Sequence, residues 1–143
     1  PMTTAAQTRP VLVDTNVASY MLVRSGEQRA LWSEHLLGRV LVIAVQTRVV
    51  LLALPLTNNW GERKANRLVE TLEGLPVVPV DVEAQQRYVA LSAWGRRTGH
   101  AIGQPAQVAD RWIAATALAH DLELATQDGH FDGIPDLKRL PAV

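Results

Sequence analysis

Short β-branched runs alternate with longer segments of helical spacing along nearly the whole chain. Val11-Leu12-Val13 follows Pro10 and ends on Asp14. Three apolar residues in a row, without polar alternation, read as a strand buried on both faces. Comparable runs at 40–45, 77–80 and 122–126 predict three more buried strands, and 137–140 a short edge strand. Helical spacing fills the intervals at 17–23, 27–37, 46–54, 60–72, 82–97 and 108–120. In the second of these, Ala30, Leu31, His35 and Leu36 share about one side; in the last, Trp112, Ile113, Ala115, Thr116 and Ala119 recur at helical spacing. Gly38, Gly74 and Gly99 stand where helices should stop, and Pro55 should end or kink the 46–54 helix.

Strands separated by helices predict an α/β fold whose central sheet is mostly parallel and has four to five strands. No repeat or linker divides the sequence, so 1–143 reads as one domain. Pro1 ahead of Met2 suggests a tag remnant, with 1–9 a flexible N-terminus. The 48% hydrophobic and 20% charged content is that of an ordinary globular protein. Its longest greasy stretch, 41–56, is broken by Gln46, Thr47, Arg48 and Pro55 and falls short of the ~20 residues a membrane helix needs. The expected location is therefore the cytoplasm. The absence of cysteine excludes disulfides, thiolate metal sites and thiol nucleophiles. Net charge is zero, which disfavours a uniformly basic nucleic-acid coat, although twelve of the fourteen basic residues are Arg, the side chain best shaped for phosphate.

In parallel sheets ligands collect at the carboxyl ends of strands, and acids stand there. Asp14 closes the first strand, Asp128 follows the fourth, and Asp110 falls in the first turn of the 108–120 helix. Singly, each has a plain explanation: helix cap, turn residue, partner of the helix dipole. Together they would repel and raise one another's pKa. A hard divalent cation such as Mg²⁺ or Mn²⁺ relieves that repulsion, and can activate water and neutralise a phosphoryl group.

The segments Val11-Leu12-Val13-Asp14-Thr15-Asn16-Val17, Gln46-Thr47, Asn59-Trp60-Gly61-Glu62-Arg63, the run from Asp110-Arg111-Trp112-Ile113 through His120, and Leu124-Ala125-Thr126-Gln127-Asp128 occur in the order and spacing of one family. Over about residues 10–140 the chain resembles the PIN-domain ribonuclease toxins of the VapC kind. The resemblance implies a three-layer α/β/α fold and Mg²⁺- or Mn²⁺-dependent endonucleolytic cleavage of RNA, often a tRNA or rRNA loop. It also implies a homodimer restrained by a cognate VapB-like antitoxin. Asp14, Asp110 and Asp128 fall on the family's catalytic and metal-binding acids. Thr15, Asn16 and Thr126 fall on polar positions that orient carboxylates or substrate phosphate.

One position departs from the pattern. Where the family carries a Glu three residues after the Thr of its Gln-Thr segment, this chain has Val50, and Ala44 replaces the usual capping Ser. Valine cannot ligate a metal and raises the cost of nearby charge, so weakened metal binding and reduced cleavage are expected. The alternative is a catalytically inactive PIN fold that acts only by binding RNA or antitoxin. Glu62 reads as a solvated residue rather than a substitute acid. Arg111 is a candidate phosphate contact or surface ion-pair partner, and Arg96, Arg97 and His100 could grip RNA. His130 reads as a plain loop residue within reach of substrate. His35 and His120 read as structural, and Trp32, Trp60, Trp94 and Trp112 as packing or dimer-interface residues. Other phosphoryl-transfer folds with an Asp after the first strand fit poorly. Asn16 stands where haloacid-dehalogenase-like enzymes carry a second Asp, and Thr126-Gln127-Asp128 lacks the Lys of a receiver domain.

Overall fold

Leu12 points to one face of its strand and Val11 and Val13 to the other, yet none is more than marginally exposed, so both faces must be covered. A computed structural model, which describes residues 9–141, shows how. β1 (Val11–Val13) is the middle of a five-stranded sheet in the order β3-β2-β1-β4-β5, with β2 at Leu41–Ala44, β3 at Val77–Val78, β4 at Glu123–Ala125 and β5 at Lys138–Arg139. Every pairing is parallel, with Val11 opposite Leu41 on one side and Glu123 on the other.

Four helices cover one face: α1 (Thr15–Leu22), α2 (Glu27–His35), α3 (Val45–Thr57) and α4 (Glu62–Glu73). Val17, Trp32, Leu51, Leu68 and Leu72 pack there against Val11, Val13 and Ile43. The opposite face is covered by α5 (Val82–Thr98) and α6 (Val108–Ala119), whose Leu91, Ile113, Ala114 and Ala117 meet Leu12, Val42 and Leu124. The result is the expected α/β/α sandwich. Among the described residues no helix is long and apolar enough to cross a membrane.

Departures from the sequence expectation have local causes. In α2 the buried side chain is Trp32, with Leu36 buried just past the helix end, while Ala30 and His35 face outward. The large indole outweighs the smaller apolar residues in choosing the face. Pro55 does not end α3, which runs on to Thr57. Set in the last turn, Pro55 forfeits one backbone bond, and Thr57 Oγ1 and the Asn58 amides donate to Ala53 and Leu54 carbonyls around it. α1 begins two residues earlier than expected because Asp14 caps it. Arg9 is fixed to Asp121, with its carbonyl accepting from Arg39, so the expected flexible N-terminus fails at its last residue; the rest of that expectation lies outside the described residues.

Two single-turn 3₁₀ segments, Ala101–Gly103 and Pro105–Gln107, carry the chain into α6 without any forewarning in the hydrophobic pattern. They are held close by a backbone contact at which only glycine fits. A Cβ on Gly95 would lie 2.6 Å from Gly103, and one on Gly103 would lie equally near Gly95.

Candidate acidic site at the carboxyl edge of the sheet

β1 leads to β2 on one side, while its other neighbour, β4, is reached only after β2, β3 and all six α-helices named above. This is the switch point at which such sheets open a crevice, and Asp14 and Asp128 stand on its two sides. Asp14 is only 3% exposed. Its Oδ1 accepts the Val17 amide at 2.9 Å, which caps α1, and its Oδ2 accepts the buried hydroxyl of Thr126. That same hydroxyl accepts the Asp128 amide at 3.0 Å. Thr126 thereby fixes two acids on neighbouring strand ends with one oxygen.

Asp128 caps the next short turn, residues Gly129–Phe131, through the His130 amide at 2.8 Å, and buried Phe131 anchors that turn in the core. Asp110 comes from the first turn of α6, where the helix dipole favours its charge. Ligating atoms of Asp110, Asp128 and His130 lie within 4.8 Å of one another. Asp14 stands close enough for its charge to act on Asp110. Burial, then the charges of Asp128 and Asp14, push the Asp110 carboxyl up from its ordinary value, against a smaller opposing pull from His130. Asp14 is also pushed up, chiefly by burial and further by Asp128, although Thr126 and the Val17 amide favour its charged form. Two acids with raised pKa beside a third form a site that gains from a cation.

The opposite end of the sheet offers a contrast. There Arg39 meets Glu123 at 2.8 Å, and Arg9 and Lys138 both meet Asp121, whose carboxyl is lowered mainly by Lys138.

The remaining candidates separate cleanly. The Thr15 hydroxyl lies 2.9 Å from that of Thr47, a fully buried residue in the first turn of α3 that the sequence showed only as part of a motif. Asn16 is exposed beside Asp14. Val50, one turn beyond Thr47, is 47% exposed; α3 carries no acid, and Ala44 leaves its start without a side-chain cap. Glu62 is exposed in the first turn of α4, as expected. His130 is not a plain loop residue: its Nδ1 lies 2.9 Å from Asp128 and 3.5 Å from Asp110. The Asp-x-His spacing over 128–130 was the available signal, since an acid that caps a one-turn 3₁₀ segment folds its side chain back over the residue two beyond it.

Two basic candidates are corrected. His100 is occupied within the fold: Nδ1 accepts the Ile102 amide, Nε2 meets the Asp132 carbonyl, and the ring tilts against Trp94. Arg96 and Arg97 are left exposed. Arg111 is 7% exposed and its guanidinium is taken up by partners inside the fold, which argues against the expected phosphate contact or surface ion pair. It donates to the carbonyls of Ile102 and Gln104 at 2.8 Å each and to the Tyr88 hydroxyl at 2.9 Å. Its job is to tie the two 3₁₀ turns to α5 and α6. Arg111→Met should therefore lower unfolding stability by about 2–5 kcal/mol, the cost of leaving two inward carbonyls without donors. Urea titration measures the loss. Cleavage per folded molecule should stay unchanged, and a fall in that quantity at full stability would return Arg111 to the substrate.

The four tryptophans serve packing. Trp32 is fully buried, Trp112 stacks on Tyr88 at 4.0 Å, Trp94 lines the core, and Trp60 lies under Lys64. His120 pairs with Asp81 at 3.0 Å, and His35 meets the edge of Trp32.

Residues 11–137 match the PIN domain family. The chain is 33% identical to the VapC ribonuclease Y4jK of Sinorhizobium fredii over 82% of its own length and 86% of that protein's. VapBC2 of Rickettsia felis, solved bound to a promoter DNA fragment, superposes with a TM-score of 0.75 at 20% identity, covering 92% of this chain and 97% of that one. VapBC-1 of nontypeable Haemophilus influenzae gives 0.74 at 22% identity, over 92% and 96% of the two chains. With acids at the β1, α6 and β4 positions of a β3-β2-β1-β4-β5 parallel sheet, and a family match spanning nearly its whole length, this chain belongs to the PIN-domain family and is of the VapC kind.

Proposed function

We propose that the chain is a divalent-cation-dependent endoribonuclease toxin that hydrolyses phosphodiester bonds in structured RNA, such as a tRNA or an rRNA loop. The observation that carries this reading is that Asp110 and Asp128 lie at ligand spacing while Thr126 joins Asp14 to Asp128 and the charge of Asp14 acts on Asp110, with no Lys or Arg pairing any of the three among the described ion pairs. The curated relative named a ribonuclease and the neighbours solved as VapBC complexes support it. They also support a VapB-like antitoxin as partner. A homodimer acting in the cytoplasm is part of the same proposal.

The donor set fits a hard cation. Asp14, Asp110 and Asp128 present carboxylate oxygens, two of these groups hold protons more tightly than ordinary carboxyls, and Asp14 keeps lone pairs beyond those used by Val17 and Thr126. Bound there, Mg²⁺ or Mn²⁺ would acidify water and offset charge on the scissile phosphate. Thr126 holds Asp14 and Asp128 in register, Thr47 holds Thr15, and the exposed side chain of Asn16 is free to meet a substrate phosphate.

Val50 favours a second reading, a PIN fold that binds RNA or antitoxin without cutting. Incubating the full chain with labelled tRNA and rRNA fragments in Mn²⁺, with and without chelator, decides between them. The expected result is slow cleavage that EDTA and Asp110→Asn each abolish. Cleavage that survives EDTA would sink the cation-dependent assignment, and RNA binding without any cleavage would establish the second reading.

A further inference from the structure

We propose that His130 is a nitrogen ligand of the cation at this site, and that the site therefore takes Mn²⁺ or a later first-row ion in preference to Mg²⁺. The inference rests on the cation-dependent reading above and adds the residue that sets the choice of ion.

Three observations carry it. First, Nδ1 of His130 lies 2.9 Å from Asp128 Oδ1 and 3.5 Å from Asp110 Oδ2. Adjacent ligands around one ion with bonds of about 2.1 Å stand about 3 Å apart, so His130 already stands near ligand spacing from each carboxylate, and all three groups lie within 4.8 Å of one another. Second, this nitrogen is shut off from solvent yet has no hydrogen-bond partner. It approaches both carboxylates without the alignment a hydrogen bond requires, so they lie side by side, as donors around a common centre do. A buried nitrogen left in that state costs free energy that coordination recovers.

Third, the far side of the ring has a partner that can set its tautomer. Nε2 of His130 lies 3.5 Å from Gln107 Nε2, so the amide as placed turns its nitrogen to the ring. Amide oxygen and nitrogen exchange places by a half-turn. With the oxygen facing the ring, Gln107 accepts the Nε2 proton and leaves the Nδ1 lone pair for a metal, the outer support that metal-binding histidines require. The backbone is equally fixed, because Asp128 Oδ1 accepts the His130 amide and Phe131 is buried in the core.

The consequence for ion choice follows from donor chemistry. All-oxygen sites suit Mg²⁺, whereas an imidazole favours first-row transition ions, increasingly from Mn²⁺ onward. Among the described residues this is the one cluster of three or more His, Asp or Glu side chains with ligand spacing, and a nitrogen belongs to it.

The test uses the full chain titrated with Mn²⁺ and, separately, with Mg²⁺, read by calorimetry, with pulsed electron paramagnetic resonance on the Mn²⁺-loaded protein. The expected results are Mn²⁺ bound at least about tenfold more tightly than Mg²⁺ and a ¹⁴N coupling of the kind a coordinated imidazole gives. His130→Asp adds a carboxylate beside Asp110 and Asp128, so it should melt somewhat below the wild type without metal, remain folded, lose the nitrogen signal and narrow the Mn²⁺/Mg²⁺ ratio by about tenfold or more. Gln107→Leu should weaken Mn²⁺ roughly tenfold while keeping the signal. If Mn²⁺ binds, is lost in Asp110→Asn, and yet shows no nitrogen coupling and no response to His130→Asp, the role of His130 is overturned and the acidic cation site stands. If no Mn²⁺ binds that Asp110→Asn removes, both fall.

Discussion

Asp14→Asn is expected to cut Mn²⁺-dependent RNA cleavage by at least about 100-fold while the melting temperature at pH 7 holds or rises. The two halves of this result have separate causes. Asp14 sits almost fully buried, with the Asp128 charge nearby, and burial is the largest influence raising its pKa. Its folded-state pKa thus lies above the unfolded one, about 3.9. Between those two values the unfolded chain loses the proton first, so stability falls as pH climbs through the window, and the whole cost persists at neutral pH. Asparagine removes the charge and keeps an oxygen for the Val17 amide, so the cap on α1 survives, while its NH₂ meets Thr126 and forfeits the bond that hydroxyl donates to Asp14, which offsets part of the gain. The stability difference between wild type and variant should close again once the pH falls below the ordinary aspartate range. Thermal melts from about pH 3 to pH 8, a span that brackets the unfolded value, measure this beside initial cleavage rates at neutral pH. A variant that loses cleavage only because it unfolds would reduce Asp14 to a helix cap.

How far the sequence foretold the site depended on the kind of information each residue carried. Val11-Leu12-Val13-Asp14 was legible because a buried parallel strand writes an unbroken apolar run and its carboxyl end must follow at once. The same logic placed β4 and Asp128. Asp110 was legible as a first-turn acid on a strongly periodic helix. Arg111, its neighbour, was not, because its partners are backbone carbonyls at Ile102 and Gln104, and carbonyls have no sequence signature. The two 3₁₀ turns that present those carbonyls depend on the glycine contact between residues 95 and 103, which is a tertiary fact. His130 was hidden for a related reason. Whether a residue two beyond a strand-end acid turns toward that acid depends on the Gly129–Phe131 turn and on Phe131 finding the core. Thr126 was placed by resemblance alone, and its double duty between Asp14 and the Asp128 amide is visible only in three dimensions.

Val50→Glu should raise Mn²⁺-dependent cleavage by at least about tenfold and tighten Mn²⁺ binding, the range expected when one supporting group is restored to a metal site. α3 leaves the carboxyl end of β2, next to the strand that ends on Asp14, and Thr47 on its first turn is tied to Thr15. Residue 50 lies one turn farther along, half-exposed, so a longer charged side chain can be accommodated without displacing the core residue Leu51. A fourth carboxylate adds repulsion when the metal is absent, so the variant should melt at or slightly below the wild-type temperature without metal and gain more from added Mn²⁺. Val50→Gln supplies the same length without the charge, and should leave both rate and affinity near the wild-type level. Equal cleavage by wild type, Val50→Glu and Val50→Gln would show that this position has no part in catalysis. The Val50→Glu chain is also the better background for Asp14→Asn, because a higher starting rate lets a fall of about 100-fold be measured above the blank. Rates that rise with Val50→Glu, stay flat with Val50→Gln and vanish when Asp14→Asn is added to the first would tie the carboxylates of α3 and β1 to one cation.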